Sequence, residues 1–173
     1  MFSCSRCTLL ALPFLVAAFA SGCDTGNPSS PLDQLEGVYA FTELRFDPTA
    51  QAIDDADVLA MLVEASTNVE VFGSGRALVR FKYENEPSDL ADADFSATGT
   101  TARLTARSED DAARLAQILM PGTVILNISQ DGQRLTGSVA NTVNLQAFDP
   151  TVYQGLTQVQ GTLYIGLARD VEE

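Results

Sequence analysis

Histidine and tryptophan are absent from this 173-residue chain, lysine occurs once, at position 82, and all three cysteines fall within the first 23 residues. Without histidine, and without a thiol beyond position 23, neither a Ser-His-Asp nor a Cys-His arrangement can be assembled downstream. Histidine-containing zinc sites are excluded by the same absence. No Gly-rich phosphate loop follows a strand anywhere. The sequence therefore offers no catalytic residue, no metal ligand and no cofactor site, and it reads as a binding or structural protein rather than an enzyme. Positive charge is also scarce: 10 Lys and Arg stand against 23 Asp and Glu, a formal net charge of -13. Nucleic acid is excluded as a partner, because phosphate contacts need clustered cations. Electrostatic docking onto anionic lipid is disfavoured for the same reason.

The cysteines that are present cluster in an export segment. Cys4 and Cys7 have CxxC spacing, but they lie in the charged start of a secretory signal and leave with it. Residues 8–20 (TLLALPFLVAAFA) form a nearly continuous apolar run, shorter than the roughly 20 residues a membrane-spanning helix requires. Ala20, Ser21 and Gly22 then precede Cys23. This order resembles the lipobox of bacterial lipoproteins, with Ala20 where leucine is commoner. The resemblance implies that residues 1–22 are a cleaved lipoprotein signal peptide and that Cys23 carries acyl chains. Two or more such chains anchor a protein durably. The implied location is the cell envelope, with the membrane as a partner through the N-terminal lipid. Asp24 resembles an inner-membrane retention signal of enteric bacteria, and the choice between inner and outer membrane stays open. Residues 23–34, rich in Gly, Pro, Ser and Asn, read as a flexible tether.

From residue 35 to 170 the chain reads as a single domain dominated by period-two alternation, the pattern of half-buried strands. In residues 37–46 this pattern places Val38, Ala40, Leu44 and Phe46 on one face. Ala77, Val79, Phe81 and Tyr83 alternate with Arg76, Arg80 and Lys82. Ala102, Leu104 and Ala106 alternate with Thr and Arg. Val159, Leu163, Ile165 and Leu167 line the last run, which Gly161 and Gly166 interrupt; these glycines leave room for a ligand or mark bends. Further strands are expected at 68–72, 94–99, 123–129 and 133–145, the last bending or splitting near Ala140-Asn141. Turns at Gly73-Ser74-Gly75, Gly99-Thr100 and Asp131-Gly132 imply antiparallel neighbours, with Asp131-Gly132 fitting a two-residue hairpin. Two short helices are expected near 54–65, from the spacing of Val58, Leu59 and Leu62, and near 108–120. The second begins at Ser108, shows Ala112, Leu115, Ile118 and Leu119 on one face, and stops at Pro121.

The fold class is thus mainly β, an antiparallel meander of about eight strands. Closing it into a barrel removes the exposed edges, whereas a sandwich removes them less completely. The opening Leu35-Glu36-Gly37-Val38-Tyr39-Ala40-Phe41 loosely resembles the first strand of lipocalin-like domains, with Tyr39 where lipocalins prefer tryptophan. The resemblance implies an up-and-down barrel and, through it, a small hydrophobic ligand or lipid as the occupant. The alternative is an envelope lipoprotein with a filled core that docks a protein partner; inward alternation looks the same in both.

Two other motifs read as local structure. Phe46-Asp47-Pro48-Thr49 recurs as Phe148-Asp149-Pro150-Thr151, and both suit turns after strands. The run ENEPSDLADAD at 84–94 has the oxygen ligands that calcium uses but lacks the calcium-loop spacing, so it reads as a solvated loop. Ligand-binding residues are not identifiable at this level. Replacing Cys23 by serine is expected to move the protein from the membrane fraction to the soluble fraction, and intact mass should show acyl chains only on the Cys23 form.

Overall fold

The computed structural model describes residues 31–170; the expected signal peptide, Cys23 and most of the expected tether lie outside the described residues. In chain order the elements are β1 (Gly37–Pro48), β2 (Ala56–Asp57), two single-turn 3-10 helices (Leu59–Met61 and Glu64–Ser66), β3 (Asn68–Phe72), β4 (Arg76–Phe81), β5 (Asp89–Thr98), β6 (Thr101–Ala106), α1 (Glu109–Gln117), β7 (Thr123–Ile128), β8 (Arg134–Val143), α2 (Leu145–Phe148) and β9 (Val159–Arg169). Apart from β2, each strand pairs antiparallel with the next, and β9 returns to β1, so the sheet closes into an eight-stranded up-and-down barrel. Closure leaves no long unpaired edge, which settles barrel over sandwich.

β1 does not keep one parity along its length. Tyr39 and Phe41 are buried in its lower half, and Leu44 and Phe46 in its upper half. The register against β9 slips between Phe41 and Glu43, and Thr42 is the extra residue of a β-bulge. A one-residue insertion moves every following side chain to the other face. Val38 and Ala40 therefore sit outside the core rather than beside Leu44 and Phe46, contrary to the uninterrupted alternation.

The glycines of β9 answer to this geometry. Gly166 stands opposite the bulge, where an added Cβ would lie 2.8 Å from Thr42 Oγ1 and 3.1 Å from Glu43 Cβ. At Gly161 an added Cβ would come within 2.3 Å of the Asp47 carbonyl oxygen and 2.5 Å of Phe46 Cζ. The space that Gly161 leaves is thus taken by the Phe46 ring, not held open for a ligand.

The helix expected over 54–65 is not formed. Its backbone is used for pairing instead. Ala56 and Asp57 pair with Phe46 and Arg45, and the Val58 N–H donates to the Leu44 carbonyl. Leu62 bridges Tyr83, and the Val63 N–H donates to the Lys82 carbonyl. β3 pairs with β1 only as far as Ala40, so this segment seals the gap between the upper half of β1 and β4. Satisfying those open ladder groups outweighs local helical spacing. The short helix found in addition to α1 is α2, which completes the 133–145 run that bends after Val143.

The two ends of the barrel differ. Short hairpins join β3 to β4, β5 to β6 and β7 to β8 at one end. Of Asp131 and Gly132 only the glycine has a positive φ, of 69°. The hairpin is a longer loop in which the Asp131 carboxylate accepts from Ser129 Oγ and the Gln133 N–H, so it is not the tight two-residue turn. Leu35, 2% exposed, plugs this end. The buried Tyr39 donates its hydroxyl to the Gly132 carbonyl at 3.2 Å, and the Arg169 guanidinium lies over its ring at 5.6 Å and donates to the Glu36 carbonyl.

Within the barrel, Phe41, Phe46, Phe81, Phe95, Leu104 and Leu126 belong to one contiguous apolar cluster with residues of every barrel strand. Barrels of eight strands are narrow enough for their own side chains to fill them, and this one is filled below its upper rim. Gly161→Ala and Gly166→Ala should each lower unfolding stability by about 1–3 kcal/mol, because the backbone opposite cannot yield freely. Urea unfolding measures the loss, with Gly161→Ala the larger of the two.

Candidate ligand cavity at the open end

The long connections all gather at the end opposite the hairpins, and α1 is the largest of them. Its start is fixed by Ser108, whose Oγ accepts from the Asp111 N–H at 3.1 Å and donates to the Asp111 carboxylate at 2.5 Å. Asp111 also accepts from the Asp92 N–H of β5 at 3.0 Å and from Arg114 at 3.2 Å. Ser108 therefore caps the helix, and the Asp111 carboxylate holds that cap and ties the helix to the barrel wall. These hydrogen bonds, led by that from Ser108, hold its pKa below the usual carboxylate range. Leu115 and Ile118 are fully buried against the barrel, while Ala113 and Ala116 on the other side are exposed.

The helix ends on an unusual residue. Leu119 has φ 58°, the left-handed conformation that glycine normally supplies after a helix and that costs a bulky residue about 1 kcal/mol or more. The Met120 N–H closes back on the Leu115 carbonyl, and Asn141 Nδ2 of β8 donates to the Leu119 carbonyl at 3.0 Å. Burial of Leu119 and Met120, at 2% and 3% exposure, and the Pro121 that follows hold the turn in place. β7 and β8 pair only at Asn127–Thr136 and Ile128–Leu135. The turn after α1 covers the upper part of that seam, as residues 56–63 cover the gap beside β1.

Between these two covers lies an open cavity of about 1180 Å³. Its walls come from five separate stretches: the 3-10 turn with Met61 and Leu62, the β4–β5 loop with Tyr83, Glu84 and Glu86, the alanine side of α1, the turn with Leu119 and Met120, and the run from Asn141 to Phe148. Alanines at 112, 113 and 116 keep the helical wall low. Tyr83 ties two walls together by donating its hydroxyl to the Gln117 carbonyl at 2.8 Å. Burial first, and then the charges of Glu86 and Asp89, push its pKa up to about 12, so it stays a neutral donor across the physiological range. Asn85, between the two glutamates, is the other non-glycine residue with positive φ among the described residues.

The motifs singled out in the sequence fall differently from expectation. The acidic run at 84–94 is a loop only in its first half, since Asp89 onward belongs to β5. Asp92 pairs with Arg76 at 2.8 Å and Asp94 with Arg107 at 3.2 Å. Among the described residues no group of three or more acidic side chains is gathered closely enough to hold a metal ion. The first Phe-Asp-Pro-Thr copy lies almost wholly in β1, where Phe46 is core and Pro48 the last strand residue. Only the second is a turn, in which Asp149 accepts from the Thr151 and Val152 N–H groups. Its Phe148 lines the cavity. Lipidation at Cys23 concerns a residue outside the described region.

Compared with family models, with curated proteins and with solved structures, the chain finds no match in any of the three.

Because the folded pKa of Asp111 lies below its unfolded value, the stability it contributes is present above about pH 4. It is lost as pH falls through the folded value. Asp111→Asn is expected to cost about 1–2 kcal/mol at neutral pH. The deficit should shrink as the pH is taken lower still, as urea unfolding at several pH values would report.

Proposed function

We propose that this protein is a lipid-anchored envelope protein that binds a small apolar molecule or lipid in the mouth of its barrel. The observation that carries the reading is the mouth cavity. At about 1180 Å³ it is large enough for a lipid-sized molecule, and its floor is built from Leu62, Leu119 and Met120. The filled interior below makes the mouth, not the barrel axis, the binding place.

The polarity of the barrel supports the anchor reading. The chain enters at the closed end, where Leu32 lies near Gly75 and Leu35 near Gly132. A lipid on Cys23 would attach the domain from the side of its closed end, with the mouth at the opposite end of the barrel. Such a mouth suits capture or hand-over of a molecule from the surrounding compartment.

A second reading, in which the domain docks an envelope protein, draws on the filled lower barrel, which resembles a scaffold more than a container. Pull-down of the membrane-extracted protein separates the two readings. A stoichiometric protein partner with no bound small molecule favours docking.

For the ligand reading, the neutral fluorescent probe phenylnaphthylamine should bind one site per chain with enhanced emission. Ala113→Phe, which raises the helical wall into the cavity, should weaken binding at least about tenfold, or about 1.4 kcal/mol. Absence of binding to the unmodified chain would overturn the reading.

A further inference from the structure

We infer that the molecule suited to this cavity is an apolar chain bearing a positive charge, such as a long-chain amine or quaternary ammonium. The inference rests on the cavity being a binding site and specifies its ligand class. The cavity is electrostatically one-sided. Glu84 and Glu86 line it, and no arginine or lysine does.

The two glutamates also differ from the carboxylates of the barrel wall. There, Asp55, Glu70, Asp92, Asp94 and Asp111 each sit within 4.0 Å of an arginine. Among the described residues Glu84 and Glu86 make no such pair. They project from an exposed loop directly beside apolar walls. The chain as a whole carries a formal net charge of -13, and Lys82, two residues before Glu84, is the cation nearest to them in sequence. Asp89, the first residue of β5, adds to the negative field felt at Tyr83.

An occupant must satisfy both halves of this site. An apolar tail covers the exposed Met61 and the half-buried Phe148. A cationic head placed at the loop gains from two carboxylates that otherwise repel each other. An anionic head, such as a fatty-acid carboxylate or a phosphate, would meet like charge at the same place. A neutral head gains nothing there. The carboxylates are exposed, so the gain is modest and screened by salt beyond about 10 Å at 0.1 M ionic strength.

The experiment displaces phenylnaphthylamine from the full chain at low salt with three amphiphiles of one tail length, each below its micelle concentration: dodecyltrimethylammonium, dodecanol and dodecanoate. The ammonium should bind about threefold tighter than dodecanol, with dodecanoate the weakest. Combining Glu84→Gln with Glu86→Gln should erase the ammonium preference and leave dodecanol binding unchanged. Combining Glu36→Gln with Asp170→Asn removes the same charge at the closed end and should leave the preference intact. Equal binding of ammonium and dodecanol overturns the ligand class alone. So does a preference that survives the first double variant or falls equally in the second. Failure of all three amphiphiles and of the probe overturns the cavity reading with it.

Discussion

Pairing of β9 along the whole of β1 is the constraint on which the domain depends. Without it the meander would be an open sheet with two long edges, each presenting unpaired N–H and C=O groups. With it, every inward side chain meets others across a narrow axis and a single apolar core forms. One large side chain of β1 and the bulge that turns its parity fit only because β9 gives way to them. Gly161 makes room for Phe46, and Gly166 makes room for the bulge that switches β1 from one parity to the other. The bulge in turn allows Tyr39 and Phe41 to face inward at the closed end while Leu44 and Phe46 do so above.

Closure also divides the molecule into two ends with different chemistry. At the hairpin end the ladders run to completion, and Tyr39, Arg169, Leu35 and the Asp131 loop lock the base. At the other end two ladders stop early, one beside the upper half of β1 and one between β7 and β8. Backbone groups left open inside a protein must find partners; beside β1 they find them in the segment at 56–63, and at the β7–β8 seam the Asn141 side chain donates to the Leu119 carbonyl in the turn after α1. The segment at 56–63 meets the β4–β5 loop at the Leu62–Tyr83 bridge, Tyr83 reaches the Gln117 carbonyl of α1, and the space these elements surround is the cavity. The site is thus a consequence of where the sheet fails to pair, and the strained Leu119 turn, held by Asn141, is part of its wall.

The strands were legible in the sequence because a half-buried strand writes its burial into alternate residues. Ala77, Val79 and Phe81 face inward as their spacing predicts, as do Leu104, Leu163 and Ile165. The start of α1 at Ser108 was legible because a cap is a local interaction. The parity of β1 was not, since a bulge leaves both halves alternating correctly and hides only the slip between them. The segment at 54–65 misled because Val58, Leu59 and Leu62 have helical spacing, while the distant strands β1 and β4 decide what its backbone does. The cavity was illegible altogether. It joins five stretches, and its clearest local sign, alanines at 113 and 116 on the far side of α1 from Leu115 and Ile118, looks the same as an ordinary solvent-facing helix surface.

By itself, the sequence determined the elements whose causes are local. These are an acidic, histidine-free domain of antiparallel strands, the glycine-bearing turns that connect them, and a capped helix stopped by proline. Tertiary structure alone decided which side of β1 faces inward, what fills the barrel axis and where a space remains. Those outcomes depend on the fit between residues far apart in the chain, such as Phe46 with Gly161 and Asn141 with Leu119, and on backbone groups left unpaired when the sheet closes. No residue's own preference encodes that fit, because it exists only once the barrel has formed.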